Sequence, residues 1–281
     1  MKTWTKIQAF FEEAPLDWAV YTEIFEQYGI SGTEQHDQPL SIEGYLVKAD
    51  ATKAKLDLIQ QSFLQKKAKK VEFQEVAEEN WAESWKQFFH PKRVGKRFFI
   101  CPSWEKVSIS PDQYLIVLDP GQAFGTGDHP TTRMCLELLE TLDMQGKEIA
   151  DIGCGSGILS IAAALLGAKS VVSVDVETSS VESTAENASR NNVKIEVYQG
   201  KGFEPIDPEQ TFDLVVSNII SPVILDLIPF VKSRLNEGGF WLISGVIEGN
   251  WQRVQLALIS AGFKNLTHKK EGEWIAAIFC Q

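Results

Sequence analysis

The feature that most constrains the fold is the glycine-rich stretch Asp151-Ile152-Gly153-Cys154-Gly155-Ser156-Gly157. It follows the apolar pair Ile149-Ala150 and precedes the apolar run 158–166, which predicts a strand, a tight turn and a helix. Glycines at alternate positions leave one side of the turn without Cβ atoms, so a ligand can lie against the backbone. The start of the helix adds unpaired N–H groups and a positive dipole end, which favour a carboxylate or a phosphate.

A carboxylate closes the next apolar run, because Asp175 directly follows the segment 171–174. In nucleotide-binding α/β folds, an acid at the end of the second strand holds ribose hydroxyls. The pattern therefore predicts a nucleoside-containing ligand in contact with Gly153, Gly155 and Asp175. Ile158 occupies the place of the third dinucleotide-binding glycine, so the pattern differs from G-x-G-x-x-G. The alternative is a glycine turn without a ligand, and the position of Asp175 argues against it.

From Lys147 onward the pattern predicts repeated βα units that end in an antiparallel hairpin. The expected strands lie near 147–152, 170–176, 194–199, 212–217, 239–245, 264–269 and 274–280, and the expected helices near 157–167, 178–191, 221–235 and 249–261. The hairpin is expected because no long helix fits between the last two strands. Gly238 and Gly239 are expected to precede the fifth strand. An α/β fold with an open, mostly parallel sheet follows.

The N-terminal residues 1–76 form a separate small α+β domain in this interpretation. Strand patterns cover 3–11, 41–48 and 71–76, and helical spacing covers 15–28 and 51–68. The order βαββαβ predicts a ferredoxin-like sandwich. The lysine cluster 66–70 is interpreted as a solvated helix end rather than a binding patch. Residues 77–95 are expected to be a linker helix whose Trp81 and Trp85 pack between the domains, and residues 96–281 form the second domain. Strand patterns also cover 96–102 and 114–119 of this second domain.

Two further segments have alternative interpretations. The loop 120–132 contains three glycines and two prolines, and it ends in Thr131 and Thr132 at the start of a helix. These threonines either cap that helix or face the ligand. Asn218 follows the fourth strand, where ligands sit in open α/β sheets, so its amide oxygen can accept a hydrogen bond from an amine. The other interpretation is that Asn218 caps the next helix.

Charge and composition exclude several classes of function. The formal net charge of −11 argues against a chain that binds a nucleic-acid backbone. It is compatible with a basic protein substrate, or simply with an ordinary soluble cytosolic enzyme. The apolar runs are too short for a membrane helix, and no signal peptide is recognised. We therefore expect a cytoplasmic protein that binds neither membrane nor metal. The cysteines and histidines are isolated in sequence, which predicts reduced thiols and no zinc site: Cys101, Cys135, Cys154, Cys280, His36, His90, His129 and His268.

Taken together, these residues resemble the PrmA family, bacterial methyltransferases that modify protein eleven of the large ribosomal subunit (L11). The resemblance rests on the glycine stretch, Asp175, Asn218-Ile219 and the loop Phe124-Gly125-Thr126-Gly127-Asp128-His129-Pro130-Thr131-Thr132, and it extends to Trp81, Trp85, Pro91 and the small N-terminal domain. It implies a class I methyltransferase with a Rossmann-like seven-stranded sheet. The implied cofactor is S-adenosyl-L-methionine, in contact with Thr132, Gly153, Asp175 and Asn218. The N-terminal domain would dock L11, whose lysine and N-terminal amines would receive methyl groups.

The expected reaction is in-line attack of a neutral amine on the sulfonium methyl group. A lysine ammonium has a pKa of about 10.4 and must lose its proton first. No pair of residues in the sequence is typical of a dedicated base, so the catalytic residue stays unassigned, and His129 is a minor candidate for proton acceptor. Three alternatives remain: a methyltransferase for another protein or a small amine, a nicotinamide-dependent oxidoreductase, and a catalytically silent scaffold.

Overall fold

The computed structural model describes residues 3–15, 18–30, 32–77, 90–119, 125, 127 and 129–281, except for the side chains of residues 3, 19, 23 and 77. The chain divides into two compact units, Met1–Phe88 and Phe89–Gln281. Most of the connecting segment, including Trp81 and Trp85, lies outside the described residues. Each unit has its own apolar core.

The first unit has the predicted βαββαβ order. Its elements are β1 (Thr3–Phe10), α1 (Ala19–Gln27), β2 (Thr33–Asp37), β3 (Leu40–Val47), α2 (Lys53–Gln65) and β4 (Lys70–Ala77). The four strands form one sheet in the order β2-β3-β1-β4, and all of its pairs are antiparallel. The helices cover one face because alternate strand residues, such as Ile7 and Ile42, are buried with Phe25, Ile59 and Phe63.

Two strands were not located from the sequence: β2, which the predicted βαββαβ order requires, and β5. β2 has only one histidine and no large apolar residue, and its residues are half-buried or exposed, so it lacks the apolar alternation that marks a strand. In the expected linker helix 77–95, the described residues show strand instead: Ala77 ends β4, and Lys92–Val94 forms β5. Residues 78–89, where the helical pattern lies, are outside the described part of the chain, and Pro91 prevents a helix there from continuing into β5 because proline cannot donate a backbone hydrogen bond.

The second unit contains two sheets. A small sheet has the order β5-β6-β7 and adds β6 (Phe98–Cys101) and β7 (Tyr114–Val117) to β5. The large sheet has seven strands in the order β10-β9-β8-β11-β12-β14-β13. Its strands are β8 (Glu148–Ile152), β9 (Ser170–Asp175), β10 (Glu196–Gln199), β11 (Phe212–Asn218), β12 (Leu235–Ile247), β13 (Lys264–Glu271) and β14 (Trp274–Cys280). The helices are α3 (Pro130–Leu139), α4 (Ile158–Leu165), α5 (Thr178–Arg190), α6 (Ser221–Arg234) and α7 (Glu248–Ser260).

The predicted α/β architecture and the terminal hairpin are confirmed. Strands β8 to β12 are parallel, whereas β14 is antiparallel to both β12 and β13. One boundary was wrong, because β12 begins at Leu235 and includes Gly238 and Gly239. The register with β11 shifts there, from Phe212 opposite Leu235 to Leu214 opposite Phe240, so the glycines lie in an irregular start of the strand.

Two apolar clusters cover the two faces of the large sheet, and one includes residues of α3 and α4 while the other includes residues of α6 and α7. The central strands are buried on both faces, which suits a parallel sheet. This packing leaves the carboxyl ends of β8, β9 and β11 beside the starts of α4, α5 and α6. Within the described residues, none of the helices has the length and apolar character needed to cross a membrane.

Candidate functional site

The glycine stretch forms the predicted turn between β8 and α4. Gly153, Gly155 and Gly157 all have positive φ angles, at 85°, 55° and 78°. A Cβ at Gly153 would lie 2.4 Å from Cγ2 of Ile219, and one at Gly157 would lie 2.8 Å from Cγ2 of Thr184. The glycines at 153 and 157 are therefore required by backbone conformation and by close protein neighbours, rather than only by room for a ligand.

Asp175 ends β9 beside this turn. Its Oδ2 accepts a hydrogen bond from the Gly155 N–H at 2.9 Å, and its Oδ1 accepts one from the Glu177 N–H at 3.0 Å. Both carboxylate oxygens keep a further lone pair, so the side chain can also accept hydrogen bonds from hydroxyl groups. Asp175 therefore fixes the turn and presents negative charge at the same place.

Asn218 and Thr132 meet at the other end of the turn. The Asn218 Nδ2 donates to Thr132 Oγ1 at 3.4 Å, which orients the amide. Its Oδ1 is buried and has no hydrogen-bond partner among the described residues. A buried carbonyl oxygen without a partner is costly, and such atoms often mark a site that a ligand completes. The first residue before α6 is Ile220, so Asn218 does not cap that helix.

The cap of α3 is His129 rather than either threonine. The His129 Nδ1 accepts from the Thr131 N–H and lies 2.7 Å from Thr131 Oγ1, while its ring packs edge-on against Trp274. Thr132 is fully buried and lines the cavity described below, so the ligand-facing alternative is favoured for Thr132 and not for Thr131. Phe124, Thr126 and Asp128 of the same loop lie outside the described residues.

A cavity of about 1010 Å³ lies along this edge of the sheet. All five residues predicted to contact a cofactor line it: Thr132, Gly153, Gly155, Asp175 and Asn218. Its far end lies against α6 and the segment after β10, where Phe203, Leu227 and Phe230 contribute apolar surface. Its volume reaches the upper end of the range of about 300–1,000 Å³ that is typical of small-molecule sites. The cavity can therefore hold an extended ligand that has polar groups at the turn and an apolar or aromatic end.

One buried carboxylate lies behind the turn without lining the cavity. Asp151 is 1% exposed, and its Oδ2 accepts from Ser160 Oγ at 2.5 Å, while Ser160 Oγ lies 2.7 Å from Ser173 Oγ. Its Oδ1 has no hydrogen-bond partner among the described residues. Burial, together with the nearby charge of Asp175, raises the pKa of Asp151 to about 6 despite the opposing hydrogen bond from Ser160.

The thiols are free, as predicted, and those near the site are unreactive. Burial raises the pKa of the Cys154 thiol well above its usual range, and the charge of Asp151 acts in the same direction. Burial likewise raises the pKa of Cys135 to about 12. Because the thiolate is the nucleophilic form, neither side chain is suited to covalent chemistry near neutral pH.

His36 is isolated in the sequence, but in the fold it lies beside two carboxylates. Across the β2–β3 pair, one ligand atom from each of Glu34, His36 and Glu43 lies within 4.8 Å of the others. The buried Glu43 is already engaged, since Lys6 Nζ lies 2.5 Å from its Oε2 and Tyr45 donates to its Oε1 at 2.7 Å. This arrangement has the character of an ion-paired polar cluster, because a metal would have to displace the lysine.

Sequence reasoning missed the polar residues that support the turn from outside the cavity. Asn187 and Arg190 on α5 contact Ser156 and Asp119, which lie far from them in the sequence. No local pattern distinguishes these residues from ordinary helix-surface residues.

Comparison with known proteins identifies what the chain is similar to. A profile of the family described as ribosomal protein L11 methyltransferase (PrmA) matches residues 11–281. A ribosomal protein L11 methyltransferase of Desulforamulus reducens is 37% identical over 244 residues, covering 85% of this chain and 78% of the relative. A ribosomal protein L11 methyltransferase of Staphylococcus aureus is 38% identical over 211 residues, covering 74% of this chain and 68% of that relative.

A solved structure agrees with these relatives. The crystal structure of ribosomal protein L11 methylase from Lactobacillus delbrueckii subsp. bulgaricus superposes with a TM-score of 0.64 and 35% sequence identity. The match covers 68% of this chain and 98% of that chain. Sequence profile, relatives and solved structure thus agree on one family. On this evidence, the chain belongs to the ribosomal protein L11 methyltransferase (PrmA) family.

Proposed function

We propose that this protein transfers methyl groups from S-adenosyl-L-methionine to lysine and N-terminal amines of ribosomal protein L11, and that it does so in the cytoplasm. Family membership supports the activity and the substrate. The single structural observation that supports the chemistry best is the Oδ1 of Asn218 at the cavity wall, which is buried and has no hydrogen-bond partner in the described part of the chain. This oxygen can accept a hydrogen bond from the N–H of an incoming amine.

The enzyme uses S-adenosyl-L-methionine as its cofactor, and this cofactor supplies the methyl group on a sulfonium. The residues around the cavity fit it well. Asp175 offers carboxylate oxygens for ribose hydroxyls, and the turn at Gly153 and Gly155 offers backbone at the start of α4 for the amino-acid end. The apolar end of the cavity, at Phe203 and Leu227, suits a nucleobase.

Asn218 and Thr132 act as a pair in this proposal. Since the Asn218 Nδ2 donates to Thr132 Oγ1, the amide cannot rotate freely and its Oδ1 stays directed away from Thr132. A fixed acceptor would hold the attacking amine in one orientation. Alignment of reacting groups contributes much of the rate in such reactions, and a misplacement of about 1 Å can cost about 100-fold.

No dedicated base is assigned. The amine must be neutral before it attacks, and burial of an ammonium beside a positive sulfonium lowers its pKa. Cys154 lines the cavity, but its raised pKa leaves it protonated and unable to accept the proton near neutral pH. His129 uses its Nδ1 to cap α3, which leaves a structural role as the better supported one. Loss of the ammonium proton to water before the amine attacks is consistent with the absence of an assigned base.

The first unit, with a proposed boundary near residue 76, would recognise L11, while residues 96–281 carry the methyl-transfer site. The net charge of −11 favours the approach of a basic protein substrate over that of a nucleic acid. We infer no direct contact with nucleic acid, membrane or metal. The alternative substrate is another protein or a small amine, which incubation of a cell extract with labelled cofactor would reveal.

The test is mass spectrometry of purified L11 after incubation with S-adenosyl-L-methionine and either wild-type protein or Asn218→Ala. Wild-type protein should add methyl groups to L11, and Asn218→Ala should slow the transfer by about 100-fold because the amine is no longer oriented. Asn236→Ala is the matched control. Asn236 lies at the start of β12 and donates a hydrogen bond to Asp213 of β11, and it is not one of the described residues that line the cavity. Transfer by Asn218→Ala at the wild-type rate would contradict the role assigned to this amide.

A further inference from the structure

A chain of polar contacts runs behind the cavity from Gly125 to Asp119. It passes through Ser156 of the glycine turn and through Asn187 and Arg190 of α5. Ser156, Asn187 and Arg190 are absent from the described residues that line the cavity. We call these three residues the Ser156–Asn187–Arg190 network. None of them was selected by the sequence motifs as a ligand contact.

The first half of the network ties the turn to Gly125. The Ser156 Oγ donates to the Gly125 carbonyl at 2.7 Å, and the Asn187 Nδ2 donates to the Ser156 carbonyl at 2.9 Å. Ser156 and Asn187 are each 3% exposed. Gly125 lines the cavity, so these two buried hydrogen bonds fix one part of the cavity wall against the turn and against α5.

The second half of the network fixes the orientation of the Asn187 amide. Arg190 Nη1 donates to Asn187 Oδ1 at 2.8 Å, which leaves the Asn187 Nδ2 directed at Ser156. Arg190 Nη2 lies 3.4 Å from Asp119 Oδ2, and Asp119 also accepts from the Ser103 N–H at 2.6 Å. A guanidinium can only donate, so its contact with Oδ1 distinguishes the two ends of the amide.

A neighbouring contact holds the same end of α5 to β7. The Asn191 Oδ1 accepts from the Val117 N–H and its Nδ2 donates to the Val117 carbonyl, both at 2.7 Å. Strand β7, which leads to Asp119, is therefore attached to the end of α5 by hydrogen bonds from its backbone to Asn191, in addition to the ion pair between Asp119 and Arg190. Asp119 is thus held by α5 directly, and Gly125 is held by α5 through Ser156.

We propose that Ser156, Asn187 and Arg190 are positioning residues for cofactor binding, which hold Gly125 and the glycine turn in the arrangement that the cofactor needs. This inference rests on the proposed cofactor site. Arg190 acts through Asn187 and Ser156 and touches neither the cavity nor the reacting groups. Loss of the network would let Gly125 move relative to the turn and would weaken binding, while the sheet and its two apolar clusters would remain packed.

The structure provides a matched control for Arg190. Glu186 accepts from Arg190 Nη2 at 2.7 Å, one helical turn away on the exposed side of α5. This contact does not lead to Asn187 or to the turn. Glu186→Gln therefore removes an ion pair from Arg190 without interrupting the path to Ser156. For Ser156, the control is Ser233→Ala, which removes a hydroxyl bond of 2.9 Å to the Phe230 carbonyl near the end of α6.

The experiment is calorimetric titration of the ligand-free protein with S-adenosylhomocysteine. The thermal unfolding midpoint of each variant is measured alongside. Ser156→Ala should raise the Kd about tenfold and Arg190→Gln about threefold, with thermal midpoints close to wild type. Ser156→Thr, which keeps the hydroxyl, should restore binding. The double variant Ser156→Ala/Arg190→Gln should raise the Kd by less than the product of the two single fold-changes, since both substitutions break the same network. Glu186→Gln and Ser233→Ala should bind as wild type does.

The inference would be overturned if Ser156→Ala and Arg190→Gln bound S-adenosylhomocysteine as tightly as wild type. It would also be overturned if the Kd rose only in step with a fall in the thermal midpoint and Ser156→Thr did not restore it, since that pattern indicates a purely structural role. Failure of the wild-type protein itself to bind S-adenosylhomocysteine would instead contradict the proposed cofactor site, so the two failures are distinguishable.

Discussion

Among the described residues, each unit buries one carboxylate, and the two carboxylates have opposite surroundings. In the first unit, Glu43 is 4% exposed and contacts Lys6, Tyr45 and His36. In the second unit, Asp151 is 1% exposed and has a single side-chain donor, Ser160, while its Oδ1 has no partner among the described residues. A satisfied carboxylate stabilises a fold, whereas an under-satisfied one costs stability and is tolerated mainly near functional sites.

The pKa values follow the same contrast. Burial tends to raise the pKa of Glu43, but the hydrogen bonds from Lys6 and Tyr45 and the positive charge of Lys6 outweigh it, so the pKa is lowered overall. Burial raises the pKa of Asp151 to about 6, and a single serine does not offset it. The first unit therefore gains stability from its ionised carboxylate, and the second unit loses stability when its carboxylate ionises.

The largest expected effect comes from removing the cation beside Glu43. Lys6→Met should lower the free energy of unfolding by about 3 kcal/mol, because it leaves a buried carboxylate without its charged partner. The double variant Lys6→Met/Glu43→Leu should recover most of this loss, since an apolar pair needs no partner. Urea unfolding at neutral pH measures both. A Lys6→Met protein as stable as wild type would show that the ion pair contributes little, and the contrast with Asp151 would be lost.

The next effect is a pH dependence that belongs to Asp151. Between about pH 4 and pH 6 the folded state keeps a proton that the unfolded chain has lost, so stability falls as the pH rises through this range. At about 1.36 kcal/mol for each pH unit, the full penalty above pH 6 is about 3 kcal/mol. Asp151→Asn cannot ionise, so its stability relative to wild type should improve by that amount between pH 4 and pH 7. Urea unfolding across this range is the measurement.

Asp112→Asn is the control for this titration, since Asp112 is exposed. Its stability relative to wild type should show no comparable change over the same pH range. The sign is the opposite of that for Glu43, whose contribution is lost as the pH falls below the ordinary glutamate range. Equal pH slopes for wild type and Asp151→Asn would contradict the raised pKa of Asp151.

The smallest effects come from single hydroxyl groups, and they compare the two carboxylates directly. Ser160→Ala should cost about 2 kcal/mol, because it removes the side-chain donor that Asp151 has within the described residues. Tyr45→Phe should cost only about 1 kcal/mol, because Glu43 keeps Lys6 and His36. Free energies of unfolding for the two variants should therefore rank in that order. The reverse ranking would mean that Tyr45, rather than Lys6, dominates the environment of Glu43.

Much of the fold could be predicted, and so could the meeting of the candidate site residues at one cavity, because their signals are local. The glycine stretch, Asp175 and Asn218 each follow an apolar run, and parallel strands bring their carboxyl ends to one edge of a sheet. The terminal hairpin was predictable because no helix-length segment lies between the strand patterns at 264–269 and 274–280. These inferences need only the order of the helices and strands, so they could be made without knowledge of side-chain packing.

What could not be predicted depends on contacts between distant residues. Strand β2 is held by pairing with β3 rather than by its own pattern, and His36 approaches Glu43 only through that pairing. Asn187 and Arg190 resemble other polar residues of a helix until the fold places them beside Ser156 and Asp119. The reason for Gly153 was likewise hidden, since the neighbour that excludes a side chain there, Ile219, belongs to another strand connection.

The most direct test of the central claim is a crystal structure of the protein with S-adenosylhomocysteine. We predict that the ligand lies in the cavity at the ends of β8, β9 and β11, with its ribose hydroxyls on Asp175 and its amino-acid end at the Gly153–Gly155 turn, close to Thr132 and Asn218. A structure in which the ligand binds elsewhere, or in which Asp175 makes no contact with the ribose, would contradict this account.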